Sequence, residues 1–441
     1  MDLLLPNFDV NQPTWFYLSL LLIVAVYFRF MRVFSLRNLD LALLLSASPG
    51  LLFVAAESDV TQTLGHVWLF VVACTFLVRM LVDPLLGRRP YLGQNLNTHG
   101  LAFLCFSVFA FLMTQAITSS LPRTTEVTIE RAEKLVSRTA TDPSEDAAQQ
   151  VASGPATAVL ATIALIFEDF GPPFLAILAH AAVITGLWFV GRNLFGDKSI
   201  GVAMATLYLL LPCTAYNVGE FNHVLPAALI TWAFVAFRKP IVSGVLLGLA
   251  CGTLVFPLFL LPIWAAFYGR KGAPKFVMAL TGVAVVLLLS LALTSIDSES
   301  FFQKTIGTIN VPLAVLSQSE FSSGFWKEAN YVSPYRWPVM ALYFIMVTLM
   351  TLFPGRRNVE VLLAQSAAAV IGTQLWYTQQ GGVYLLWYVP LLLMVIFRPR
   401  LPHLQFTQDL DDEQLSVSKS TVRPTHNTSN TQTSRRLQLF R

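Results

Sequence analysis

The chain has 441 residues, of which 55% are hydrophobic and only 12% charged, about half the charge of an ordinary soluble domain. That balance argues against a soluble-type enzyme, and the formal net charge of +4 reflects loops meeting anionic lipid headgroups, not a nucleic-acid footprint. The four cysteines, Cys74, Cys105, Cys213 and Cys251, all lie in apolar stretches without disulfide or zinc-type spacing, so they read as small packing residues.

The first apolar stretch, Thr14–Phe34, has an acidic front (Asp2, Asp9) and a basic back (Arg29, Arg32). This is the reverse of a cleavable signal and predicts a span with the N-terminus outside. Further spans follow at 39–56, 67–86 and 100–118. Residues 1–99 thus form an N-terminal group of helices with no assigned role, ahead of a transmembrane region at 100–400. An outer loop, 119–155, contains an amphipathic stretch, Glu126–Arg138. Ala156–Phe167 is too short to cross ~30 Å of hydrocarbon and suits a re-entrant or interfacial helix. Spans at 172–191, 200–217 and 222–237 come next.

Ile241–Tyr268 breaks the pattern. Counted as one crossing, it would put Arg270, Lys271 and Lys275 outside. Splitting it at Gly252–Pro257 into two short helices returns the chain to the cytoplasm, and such broken helices often border binding sites. Spans at 276–296, 336–353, 359–377 and 382–397 complete the set, with a second outer loop at 297–334 that carries Phe301, Phe302, Phe325, Trp326 and Tyr331. The tail, 401–441, is rich in Ser, Thr, Gln and Asn and reads as disordered.

Basic clusters decide the sidedness. Arg29/Arg32/Arg37, Arg79/Arg88/Arg89, Arg192/Lys198, Arg238/Lys239, Arg270/Lys271/Lys275, Arg356/Arg357 and Arg398/Arg400 alternate with loops that lack them. This positive-inside pattern predicts an inner (plasma) membrane protein, multi-pass, with its C-terminus cytoplasmic. The expected fold is all-α, a polytopic bundle of about 11 spans plus short re-entrant helices.

Gly-rich phosphate loops, metal-ligand clusters and nucleophile elbows are missing from the sequence. No cofactor is expected and no divalent metal is indicated. Chemistry therefore falls to polar residues of the outer face. Tyr335-Arg336-Trp337-Pro338 opens a span with an Arg able to fork two hydrogen bonds to a phosphate, although a snorkelling belt residue reads the same way. Trp326 and Tyr335 are aromatic candidates for substrate contact beside it. Glu220-Phe221-Asn222-His223 occupies a short outer turn and could hold a polar ligand or move a proton; a solvated turn with a capping Asn is the equal alternative. His180 lies within a span, where an ionisable group is costly and a site candidate by default. Arg79 can snorkel to the inner face and receives no role. For a general base the outer acids Glu57, Asp59, Glu126 and Asp142 stand first, with Glu130, Glu133, Glu145 and Asp146 behind them; the sequence does not choose among them.

Residues 150–400 resemble the GT-C type of polytopic glycosyltransferase, which uses lipid-phosphate-linked sugars at the outer face. Gly171-Pro172-Pro173 is similar to the proline pair closing the family's first outer loop, and Gly191-Arg192-Asn193-Leu194-Phe195-Gly196 to its first basic inner turn. Leu211-Pro212 with Gly219–His223 resembles its polar outer turn. Ser243–Ala250 resembles its Gly-rich segment, and Trp387-Tyr388-Val389-Pro390 its final span. The resemblance implies transfer from a polyprenyl-phosphate sugar donor to an outer-face acceptor, with membrane lipids as surroundings and no nucleic acid. A carboxylate would deprotonate the acceptor and Arg336 would stabilise the departing phosphate. Two positions depart from the family: Ser119–Thr125 has no acid, and Gly252–Pro257 has no Lys. A non-catalytic relative that binds a lipid-linked or cell-wall ligand is therefore the alternative, with a transporter behind it.

Overall fold

A computed structural model of the chain describes residues 11–86, 94–137, 154–293, 324–326, 333–353, 357–377 and 382–401. The fold is an all-α polytopic bundle. Its helices are α1 (Gln12–Tyr27), α2 (Leu36–Val54), α3 (Asp59–Val82), α4 (Thr98–Thr118), α5 (Arg123–Ser137), α6 (Pro155–Ala161), α7 (Gly171–Phe189) and α8 (Lys198–Leu210). They continue with α9 (Pro212–Tyr216), α10 (Phe221–Val235), α11 (Pro240–Thr253), α12 (Leu261–Leu293), α13 (Arg336–Leu352), α14 (Val359–Thr373) and α15 (Leu385–Phe397).

Among the described residues five helical segments, Leu36–Val54, Asp59–Leu85, Thr98–Thr118, Gly171–Leu194 and Phe256–Leu293, are long and apolar enough to cross a bilayer, and the chain is a multi-pass membrane protein. Shorter apolar helices complete the bundle. Every residue of α15 is buried, so this helix is apolar all round and enclosed by its neighbours. Its 13 residues span only about 20 Å, and this short length is sustained because protein, not lipid, surrounds its ends.

The first helices share the same apolar core as the rest. Ser19 of α1 donates to the Leu210 carbonyl at 2.5 Å and Tyr27 to the Ala203 carbonyl at 2.9 Å, so α1 runs antiparallel to α8. The expected first span is shorter than the sequence indicated. Helix α1 ends at Tyr27, with a one-turn 3-10 segment at Phe30–Arg32, and Met31 and Phe34 are exposed. An Asn38 amide hydrogen-bonded to the carbonyls of Arg29, Arg32 and Val33 closes that turn in place of further helix.

The Ile241–Tyr268 stretch folds as a hairpin. Helix α11 stops at Thr253, Leu254 is extended (φ −140°, ψ 165°), and a 3-10 turn at Phe256–Leu260 leads into α12. Tyr268 then donates to the Phe237 carbonyl at 2.8 Å, back beside the start of α11. Gly269, at φ +59°, bends the chain within α12, a conformation that favours glycine. The remainder of α12 rises again alongside α11. An added Cβ on Gly244 would meet Phe276 and Ala279, on Gly248 Val283 and Leu280, and on Gly252 Leu287. The two lists ascend together, so these segments are parallel, and the small residues let the backbones approach closely.

Contacts also draw basic clusters to one end of the bundle. Arg79 bridges Asp40 and Asp83, each at 2.8 Å, and Arg398 reaches Asp83 at 2.5 Å and Glu360 at 2.7 Å. The guanidinium of Arg357 lies against Gly269. Arg79 is thus a member of a largely buried ion network, not the snorkelling residue the sequence suggested.

Candidate functional site

At the opposite end, the turn between α9 and α10 is shaped by proline at its start and glycine near its end. Pro212 opens α9 and Gly219 precedes Glu220, which stands immediately before α10. Two neighbours fix that turn. His180 of α7 contacts the Val218 carbonyl through Nε2 at 3.1 Å, while Tyr208 lies 2.9 Å from its Nδ1. The ring therefore donates from Nε2 and accepts at Nδ1, which makes it a neutral, hydrogen-bonded bracket for the turn.

Helix α5 clasps the other side. The Thr124 hydroxyl donates to the Glu220 carboxylate, and Thr125 donates to the Gly219 carbonyl at 3.2 Å. Asn222 donates to the Thr124 carbonyl at 3.1 Å and to Thr128 Oγ1 at 2.8 Å. The spacing Thr124, Thr128 sets both groups on one helical face, and these bonds seat the first turn of α5 over Glu220–Asn222.

Next to this clasp opens a cavity of about 610 Å³. It is lined by the start of α1 (Asn11, Gln12, Pro13, Trp15), the end of α4 and its following turn (Gln115, Ser119, Ser120, Pro122), and residues Ala215–Glu220. Among these described residues Glu220 is the one formal charge. Burial pushes its carboxyl above the usual carboxylate range, and the Thr124 hydrogen bond pulls it partly back. A carboxylate so placed holds a proton more readily than a surface one and faces a polar, uncharged wall.

Residues 153–378 match glycosyltransferase family 87, a stretch just over half the chain. The chain belongs to that family. It is also similar to a "Glycerol-3-phosphate acyltransferase" of Sinorhizobium fredii (strain NBRC 101917 / NGR234), 26% identical over 132 residues. That alignment takes in 29% of this chain and 57% of the relative, so the chain spans little more than half of that protein's length. No solved structure matches.

In this member of family 87 the other sequence-nominated residues fall in different places. His223 turns away from the cavity, accepting from Trp387 Nε1 at 2.9 Å through Nδ1. Trp387 in turn stacks on Phe256 at 4.4 Å and packs with Tyr384 at 4.2 Å. Arg336 is buried, donates from Nε to the Trp376 carbonyl at 2.8 Å and lies over the Trp337 ring. Trp326 donates to the adjacent Leu375 carbonyl at 2.9 Å, and Tyr335 is exposed. Between His223 and the turn at Phe256–Leu260 lies a stack of aromatic rings, His223 on Trp387 and Trp387 on Phe256.

Glu57, Asp59 and Glu126 are exposed and do not line the cavity around Glu220. Asp142, Glu145 and Asp146, most of the 297–334 loop and the tail beyond Leu401 lie outside the described residues. Sequence reasoning overlooked Trp15, Gln115, Ser119 and Thr124. Trp15 and Gln115 sit at span ends where belt residues are ordinary, so their types carry no signal. The i, i+4 hydroxyl pair Thr124/Thr128 was the one available clue.

Proposed function

We propose that this membrane glycosyltransferase moves a sugar from a polyprenyl-phosphate donor to a hydroxyl of an outer-face acceptor, with Glu220 as general base. The acceptor hydroxyl gives its proton to the Glu220 carboxylate as its oxygen bonds to the anomeric carbon. The bond from that carbon to the phosphate oxygen breaks, and the electron pair leaves on the lipid phosphate. Membership of family 87 supports the transfer. The observation that carries the assignment of the base is a desolvated carboxylate facing a polar cavity within the matched stretch; a raised pKa suits proton abstraction near neutrality.

In this reading Glu57, Asp59, Glu126 and Asp142 yield the base role to Glu220. Asn222 and His180 become positioning residues for its turn, and Arg336 a positioning residue for Trp376. The basic clusters at the far end of the bundle support an orientation with the cavity outside, the N-terminus outside and the C-terminus in the cytoplasm of a plasma membrane.

The test is transfer by the full chain in nanodiscs, from radiolabelled polyprenyl-phosphate hexoses and pentoses to an envelope glycolipid extract. Labelled product from the wild-type protein and a loss of roughly 10²–10⁴-fold in Glu220→Gln are expected. Wild-type rates in that variant would overturn the base assignment. A wild-type chain that transfers from none of these donors would favour the binding-only relative, a reading that the acid-free Ser119–Thr125 turn supports.

A further inference from the structure

The cavity joins two parts of the chain. Glu220 and the residues just before it belong to the stretch that matches the family, whereas Trp15, Gln115, Ser119 and Ser120 precede it. Resting on the reading of Glu220 as base, we infer that the α1–α4 wall is the acceptor subsite, that it takes a neutral, polyhydroxylated group such as a sugar ring, and that the donor phosphate binds outside this cavity.

Charge is the first argument. The described lining holds a carboxylate and no Lys, Arg or His. A phosphate inside would face Glu220 with no cation from that wall to offset it, and like charges in a partly desolvated site repel far more than in water. A neutral ligand meets no such penalty. Its hydroxyl proton is also what the base must remove.

Hydrogen bonding is the second. Trp15 is only 3% exposed. Its indole Nε1 and the amide Oε1 of Gln115 are buried and have no hydrogen-bond partner among the described residues, yet both side chains line the cavity. One is a donor only and the other an acceptor. A buried polar group left unmade is costly, and a sugar hydroxyl, which donates and accepts, can answer both. Ser119, Ser120 and Asn217 add groups of the same kind.

Geometry is the third. Trp15 stacks on Phe111 with ring centroids 5.4 Å apart and planes within 11°, so its donor points from a ring held by packing. The Tyr216 hydroxyl donates to the Gln12 carbonyl at 2.8 Å, which ties the α1 wall to the turn bearing Glu220. The volume, about 610 Å³, falls within the roughly 300–1,000 Å³ usual for small-molecule sites.

The experiment is ligand-observed saturation-transfer NMR on the full chain in nanodiscs, with methyl hexosides and methyl pentosides as neutral probes and hexose 1-phosphates as anionic ones. The neutral probes should bind. Trp15→Phe, which removes the N–H but keeps a ring, and Gln115→Leu should each weaken them roughly tenfold, while the phosphates should not displace them and any phosphate binding, being at the donor site, should be unchanged by both variants. Glu220→Gln should still bind methyl glycosides although it no longer transfers sugar, which separates this inference from the base assignment. Phosphate binding that Trp15→Phe abolishes, neutral binding unaffected by both wall variants, or no neutral binding at all would each overturn the proposal. Should a wall variant fail to fold, competition on the wild-type protein decides: hexose 1-phosphates should leave methyl-glycoside binding unchanged, and displacement would overturn the proposal.

Discussion

Arg398 donates to Asp83 at 2.5 Å across 315 residues of sequence, and so ties the end of α15 to the end of α3. Asp83 also accepts from Arg79, and Arg398 also contacts Glu360. The network thereby locks the early helices to α14 and α15. Neutralising Asp83 leaves Arg79 with Asp40 and Arg398 with Glu360, so the cost should fall below the roughly 3–5 kcal/mol of a buried pair broken outright. Asp83→Asn is therefore expected to lower thermal stability measurably while leaving the cavity end unaltered. A melting temperature unchanged from wild type would show that the network is energetically idle.

Glu220 gives a prediction in pH. Because its folded-state carboxyl is raised above the ordinary value, the stability it contributes is full below the unfolded pKa and is lost as pH rises through the folded one. At pH 7 Glu220→Gln should thus melt no lower than wild type, even as turnover collapses. The acid limb of the rate profile should lie above the ordinary Glu range, since the base must be ionised. Thr124→Val, which removes a hydrogen bond to the carboxylate, should move that limb further up. A limb that stays put would dissociate it from Glu220.

Asn222 holds α5 through two donated bonds. Asn222→Ala leaves the Thr124 carbonyl and Thr128 without that donor, a loss of about 1–3 kcal/mol. Hydrogen exchange at Arg123–Ser137 should speed up before global stability changes. Equal loss of protection throughout the bundle would mean that α5 is not separately seated.

The glycine ridge of α11 predicts a steric outcome. A Cβ on Gly244 would come within 2.7 Å of the Phe276 carbonyl oxygen, backbone that cannot swing aside. Gly244→Val should destabilise by at least the ~1–3 kcal/mol of ordinary overpacking, read as a lower yield of folded protein from membranes. Normal yield and melting would contradict the close parallel packing of α11 on α12.

Hairpin topology is testable by labelling. Lys271→Cys lies just past the bend at Gly269 and is exposed, on the basic side of the protein. In intact cells an impermeant maleimide should leave it unmodified, whereas a cysteine at position 2 should react. Modification of position 271 from outside would reverse the later half of the map.

Length, hydropathy and charge alone determined the bundle, most helix positions and the break in Ile241–Tyr268, because each follows from local constraints. Backbone amides in lipid must bond within a helix, and Lys and Arg clusters keep to one side. Those cues also singled out Glu220-Phe221-Asn222-His223. They could not tell that Glu220 faces a cavity while His223, three residues on, faces Trp387, since that division depends on where α4, α5 and α15 pack. Nor could they find Trp15 and Gln115, about 100 positions apart, as two sides of one wall. Arg79 looked like a snorkelling residue for the same reason: its partners Asp40 and Asp83 are brought to it by helix packing and a turn. Periodicity and charge fix which segments are helices; which polar atoms end up buried together is decided by long-range packing, and only the tertiary structure carries it.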